Sequence, residues 1–242
     1  VFHLIGFTPA PVGQSTKEKI MANTLLNEDI KKQVLELFET LDKPVSILFF
    51  GREEDCDYCN DTQQLAEEVS ALSERLELHI YNLDEHSDIA AQYNVDKTPS
   101  LVIAGGNGSG PIDYGIRFAG IPSGHEFTSL IQDIVLVSNG DSGLNDKTRE
   151  FLKNLAEPVH MQVFVTPSCP YCPRAVVLAH QMAMESPMVQ AEMIEATEFP
   201  ELSNKYQIMG VPDTSINHGN GRVVGAVPEF QLMAEIENTL KK

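Results

Sequence analysis

The chain has little cysteine, few basic side chains and no long apolar run. Only four cysteines occur in 242 residues, too few and too regularly paired for the disulfide framework of a stapled secreted domain. Lys and Arg number 17 against 35 Asp and Glu, giving a formal charge of −18. A surface so short of cations does not neutralise a phosphate backbone, which argues against a nucleic-acid partner. No uninterrupted apolar stretch approaches the ~20 residues of a membrane span, so no membrane association is expected. Residues Val1 to Ala10 lack the basic region and long apolar core of a signal peptide. With thiols this sparse, a cytoplasmic location is the expectation. Residues 1–20 precede Met21 and read as an N-terminal extension or leader outside the fold.

What the chain does have is a repeated thiol pair. Cys56-Asp57-Tyr58-Cys59 returns 113 residues later as Cys169-Pro170-Tyr171-Cys172, and these are all its cysteines. Each pair follows a run rich in β-formers, Val45 to Gly51 and Met161 to Val165, and leads into apolar residues at helical spacing. Two thiols three residues apart at a helix start can close as a reversible disulfide. The first lies where unpaired N–H groups and the helix dipole stabilise a thiolate, the nucleophile of disulfide exchange. Cys56 and Cys169 are therefore the expected attackers. Cys172 begins a stripe with Ala175, Val176, Ala179 and Ala183, so it and Cys59 are the expected sheltered, resolving thiols. Paired cysteines also bind zinc, but zinc ribbons keep their pairs about 15–20 residues apart. No metal is expected.

The duplication extends beyond the sulfurs. A helix from Glu28 to Leu41, capped by Asn27, precedes the first strand. After Cys59 come a long helix, a strand Leu76 to Tyr81, a short helix Ser87 to Tyr93, and a hairpin from Ser100 to Phe118 that turns through Gly105 to Pro111. A helix Glu126 to Val137 closes this unit, and the Gly-, Asn-, Asp- and Ser-rich stretch Ser138 to Asp146 reads as a linker. The second unit repeats the order: helix Lys147 to Ala156, strand, dithiol helix, strand Met188 to Ile194, short helix to Tyr206, hairpin and closing helix Glu229 to Leu240. Thr98-Pro99 and Val211-Pro212 occupy corresponding places, each proline 40 residues after the second cysteine. Two domains follow, 21–140 and 141–242. The glycine run lacks the Lys and Ser/Thr of a phosphate loop, and no cofactor is expected beyond the cysteine pairs.

These motifs resemble those of thioredoxin and glutaredoxin. The tandem arrangement is similar to the two-domain protein disulfide oxidoreductases, or glutaredoxin-like proteins, of thermophilic bacteria and archaea. The resemblance implies an α/β chain of two tandem thioredoxin-like folds, each a central mixed sheet flanked by helices. It implies an enzyme that reduces, forms or isomerises protein disulfides through Cys56, Cys59, Cys169 and Cys172. It implies that Pro99 and Pro212 follow cis bonds, and that Thr98, Pro99, Val211 and Pro212 dock an extended substrate by its backbone. Protein disulfides are then the substrates, and a flavin-dependent thioredoxin reductase or similar donor recycles the thiols. The alternative is a dedicated electron-transfer module for one docked partner such as a peroxidase or peroxiredoxin, like the tandem domain of peroxide-reducing flavoproteins. Those relatives keep a single dithiol, and here both are intact. Two departures stand out. Thioredoxins carry a buried Asp six residues before the first cysteine, where Phe50 and Val163 stand here, so the proton acceptor for the resolving thiols is not identified. Thr166-Pro167-Ser168 and Asn217-His218-Gly219 also differ from the segments by which glutaredoxins hold glutathione.

Overall fold

The computed structural model describes residues 24–106 and 110–241. The extension 1–20, the start of the first domain at 21–23 and the tip of the Gly105 to Pro111 turn lie outside the described residues. Elements in chain order are α1 (Glu28–Phe38), β1 (Val45–Gly51), α2 (Cys59–Ser70), β2 (Leu76–Asn82), α3 (Ser87–Gln92), β3 (Ser100–Gly106), β4 (Pro111–Ala119) and α4 (Glu126–Asn139). The second half follows as α5 (Asp146–Lys153), β5 (Val159–Val165), α6 (Cys172–Glu185), β6 (Val189–Glu195), α7 (Pro200–Lys205), β7 (Asp213–Ile216), β8 (Gly221–Val224) and α8 (Glu229–Leu240).

Local chemistry accounts for the ends. Asn27 caps α1 by accepting from the Ile30 N–H at 2.9 Å, and Gly140 ends α4 in the left-handed conformation that glycine adopts without strain. Helix α5 starts one residue before the expected Lys147, because Asn145 accepts from the Thr148 N–H. It stops at Lys153 rather than Ala156. Asn154 caps it with φ −96° and ψ 7°, outside the helical range.

The eight strands form one mixed sheet in the order β2-β1-β3-β4-β6-β5-β7-β8. Each half supplies four strands, and the halves join where β4 pairs parallel to β6 from Ile116↔Ala191 to Ala119↔Ile194. Strands β1, β4, β5 and β6 all run the same way. Both dithiols therefore leave the same edge of the sheet. Four strand steps separate β1 from β5, about 19 Å at ~4.8 Å per step, so the four thiols do not converge on one tetrathiolate site.

One large apolar cluster covers a single face and joins both halves. It contains Leu65 and Val69 of α2, Leu130 and Ile134 of α4, and Val176 and Ala179 of α6. Burying a Leu, Ile or Val side chain stabilises by about 1.5–3 kcal/mol, so this shared layer holds the halves as one body. The opposite face carries two smaller clusters, around Phe50 and Tyr93 beside α3 and around Phe164 and Phe199 beside α7. Arg117, 2% exposed, lies between β3 and β6. It donates to the Tyr93 carbonyl at 2.7 Å and to Asp113 at 2.8 Å.

Candidate active site

Cys56–Cys59 and Cys169–Cys172 are both closed as disulfides. The second cysteine is the first residue of its helix in each half, and the first lies one turn before it. Cys59 and Cys172 are buried, at 5% and 0% exposure, as the apolar stripe requires. The attackers differ: Cys56 is half-buried, whereas Cys169 is 7% exposed. Tyr58 and Tyr171 cap the helices with no side-chain hydrogen bond and stand exposed beside the sulfurs.

The N–H groups around the sulfurs are arranged differently. In the second half the Cys172 N–H points at Cys169 Sγ, 3.1 Å away. In the first half the Arg52 N–H approaches Cys59 Sγ at 3.3 Å, and the Cys59 N–H goes to the Cys56 carbonyl at 3.4 Å. An N–H donated to sulfur stabilises its thiolate, which favours the attacking thiolate in the second half and the resolving one in the first. Glu53, Glu54, Asp55 and Asp57 around Cys56 are all exposed. They oppose a thiolate there, and solvent screens them.

Both X–Pro bonds, Thr98–Pro99 and Val211–Pro212, are cis, as the family resemblance implies. Their place follows from register. Ser100 pairs with Phe50, which puts Pro99 opposite Gly51, and a Cβ on Gly51 would lie 3.3 Å from Cys59 Sγ. Asp213 pairs with Phe164, which puts Pro212 opposite Val165 at the entrance to the second loop. The Pro99 and Pro212 carbonyls accept from Gly120 and Gly225, whereas Thr98 and Val211 enter no backbone hydrogen bond among the described residues. Thr98 and Val211 therefore offer free main-chain groups at the sulfur edge. Met209, two residues before Val211, is 92% exposed.

Register also corrects the comparison of Phe50 with Val163. Phe50 pairs with Tyr81 and Phe164 with Ile194, so Phe164 is the structural counterpart of Phe50. The first loop is one residue longer, so counting six back from each cysteine lands on opposite faces. Phe50 lies in the cluster away from the thiols, and Val163 in the cluster that holds Cys172.

A buried carboxyl of the first half lies at the same edge of the sheet as the second dithiol. Glu126 opens α4 at the sulfur edge and is 1% exposed. The preceding His125 N–H donates to the Pro167 carbonyl at 2.9 Å, two residues before Cys169, and α4 packs along α6, which begins at Cys172. Burial pushes the Glu126 carboxyl up to about 7 against the pull of Ser129, which donates to it at 2.6 Å, and of His180. Further along the same helix pair, buried Asp133 lies 2.6 Å from His180 Nδ1. His180 Nε2 donates to the Arg117 carbonyl at 3.1 Å, since a carbonyl only accepts. His180 is thus a packed, paired imidazole. Sequence reading missed Glu126, although the residues 126, 129 and 133 set a polar stripe among the apolar positions of that helix.

Comparison with known proteins agrees with this geometry. The family described as thioredoxin domain matches residues 45–132 and 159–238. A protein disulfide oxidoreductase from Aeropyrum pernix superposes with a TM-score of 0.82 at 31% identity, over 89% of this chain and 94% of that one. The NTD_N/C domain of the alkyl hydroperoxide reductase AhpF of Enterococcus faecalis gives 0.78 at 28% identity, over 86% and 98%. The F subunit of the alkyl hydroperoxide reductase of Staphylococcus aureus is 31% identical over 203 residues, which is 82% of this chain and 36% of that protein. The chain thus spans about a third of the length of the curated relatives it matches. Two matched segments, two disulfide-closed CxxC pairs and two cis prolines on one continuous sheet make the chain a tandem member of the thioredoxin-domain family.

Proposed function

We propose that this protein is a thiol–disulfide oxidoreductase that exchanges two electrons with protein disulfides at each of two sites. The observation that carries the reading is the juxtaposition, made twice, of a strand-end disulfide at a helix start and a cis-proline edge with an unpaired main chain. In the reducing direction the Cys56 or Cys169 thiolate attacks a substrate sulfur. A mixed disulfide forms, and the departing substrate thiolate takes a proton. Cys59 or Cys172 then loses its proton, attacks the first cysteine and releases the second substrate thiolate. The enzyme dithiol becomes the disulfide as the substrate disulfide becomes a dithiol, and oxidation of a substrate is the same sequence reversed. Glu126 is the proton acceptor for Cys172, since a buried carboxyl titrating near neutrality is matched to that task.

Docking uses Thr98 and Pro99 at the first site and Val211 and Pro212 at the second, by strand-like pairing with an extended segment. The cysteine sulfurs are the only redox groups the reaction needs, with no further cofactor. A flavin-dependent thioredoxin reductase or similar donor supplies electrons, and the protein works in the cytoplasm. Among the described residues no helix is long and apolar enough to cross a membrane. A second reading, delivery of electrons to one peroxidase or peroxiredoxin, is favoured by the similarity to the Staphylococcus aureus alkyl hydroperoxide reductase across 82% of this chain.

Covalent capture tests both. Cys172→Ser and Cys59→Ser leave the mixed disulfide unresolved, so the reduced variants are expected to retain partners by a bond that dithiothreitol releases. Many captured proteins would support the general oxidoreductase, and a single peroxidase the dedicated module. No thiol-releasable partner from either variant would sink the proposal.

A further inference from the structure

The docking edge of the first site is held by the second half of the chain. Gly120 donates to the Pro99 carbonyl at 2.9 Å, so the segment after β4 lies against the cis-proline loop. The next N–H, that of Ile121, donates to Glu198 Oε1 at 2.8 Å across 77 residues of sequence. Gly120 leaves room for this contact: a Cβ there would lie 2.9 Å from Glu198 Oε1 and 2.6 Å from the Glu195 Cβ. On the other side of the edge, Lys97, adjacent to Thr98, donates to buried Glu192 at 2.8 Å.

The second site has no such arrangement. Met209 and Gly210, the counterparts of Asp96 and Lys97, are exposed; the Pro212 carbonyl is met by Gly225 as that of Pro99 is by Gly120, but no carboxylate of the other half meets the Gly225 segment among the described residues. Glu198 is also not placed where it would best serve stability alone. Its Oε2 is buried without a hydrogen-bond partner, and burial beside Glu195 raises its carboxyl to about 7. An acceptor so poorly provided for, at the end of a chain of contacts to Pro99, is the kind of group retained for positioning rather than for packing.

We infer that Glu198 is a positioning residue for the first dithiol: by holding the Gly120–Ile121 segment against Pro99, it sets the substrate-docking edge of Cys56–Cys59 from the opposite half of the chain. This rests on the reading of Thr98 and Pro99 as that edge. Substrate then meets at the first site a surface built by both halves, and at the second an edge built by one.

The test uses the full chain with the second dithiol removed (Cys169→Ser with Cys172→Ser), and reduction of a protein disulfide is followed as a function of its concentration. Glu198→Asp, one methylene shorter, is expected to raise KM about fivefold or more with kcat within twofold. Glu198→Gln, which keeps the acceptor, is expected to hold KM within twofold of the parent. In the reciprocal background, Cys56→Ser with Cys59→Ser, neither substitution is expected to move KM. A parent lacking all activity would overturn the reading of the first dithiol and this inference with it. An active parent whose KM is unchanged by Glu198→Asp, or an equal rise in both backgrounds, would overturn the inference alone.

Discussion

The two dithiols occupy equivalent places on one sheet and sit in different surroundings. Around Cys56 the chain puts four exposed acids in a loop one residue longer than its counterpart, and the N–H of Arg52 addresses the sulfur of the resolving cysteine. Around Cys169 it puts Pro167, Ser168 and Pro170, buries the attacking sulfur and aims an N–H at it. Duplication preserved the scaffold, and the junction between halves differentiated it. Each half also reaches the other at this edge, the His125 N–H donating to the Pro167 carbonyl and Glu198 accepting from the Ile121 N–H, because β4 and β6 meet there.

The strongest way to break the comparison is to remove one site at a time. The variant lacking Cys56 and Cys59 and the variant lacking Cys169 and Cys172 are each expected to retain disulfide reductase activity in an insulin-type turbidity assay. Loss of all turnover in both would show that electrons pass between the dithiols in series, and that they are not two independent centres.

A smaller and more selective effect is expected of Glu126→Gln. A positioned general acid or base contributes about 10²–10⁴-fold, so turnover at the second site should fall about 10²-fold while the first site is unaffected. Stopped-flow reduction in the two single-site backgrounds measures this, and equal slowing of both sites would remove Glu126 from its role. The same variant has a thermodynamic signature. Burial raises the carboxyl from 4.5 to about 7 in the folded chain, so folding favours its protonated form. Its contribution to stability is full below about pH 4.5 and lost as pH rises through about 7. Denaturant midpoints of Glu126→Gln should therefore decline less over that range than those of the parent.

The smallest expected difference is in potential. The charge asymmetry, −15 over residues 1–146 and −3 over 147–242, and the N–H at Cys169 both favour the second thiolate. The greater burial of Cys169 opposes them. Thiolate stabilisation favours the reduced form, so the second pair should be the more oxidising, and each ~1.4 kcal/mol of difference corresponds to about 30 mV. Redox equilibria of the two single-site variants measure it. A first pair that proves the more oxidising would show that burial of Cys169 outweighs charge and hydrogen bonding.

The sequence by itself determined what contiguous residues can encode. The spacing of each cysteine pair, the strand before it, the apolar stripe from Cys172 and the placing of Pro99 and Pro212 depend on backbone periodicity and on residues within a few turns of one another. All could be read in order along the chain. The tertiary structure alone decided what depends on which surfaces meet. Glu126 and Asp133 look like ordinary polar positions on α4 until α6 covers them, and Glu198 looks like a turn residue until β4 pairs with β6 and presents the Ile121 N–H to it. The one-residue difference between the loops was visible, but only pairing of Phe50 with Tyr81 and Phe164 with Ile194 shows that it reverses the face on which a counted residue falls. Side chains on a strand alternate at a period of two, and burial on a helix is set by the neighbour that packs against it. The surroundings of Pro167 before the second dithiol and of the Gly120–Ile121 segment beside Pro99 are therefore set by contacts across about 40 to 80 residues, where local pattern carries no information.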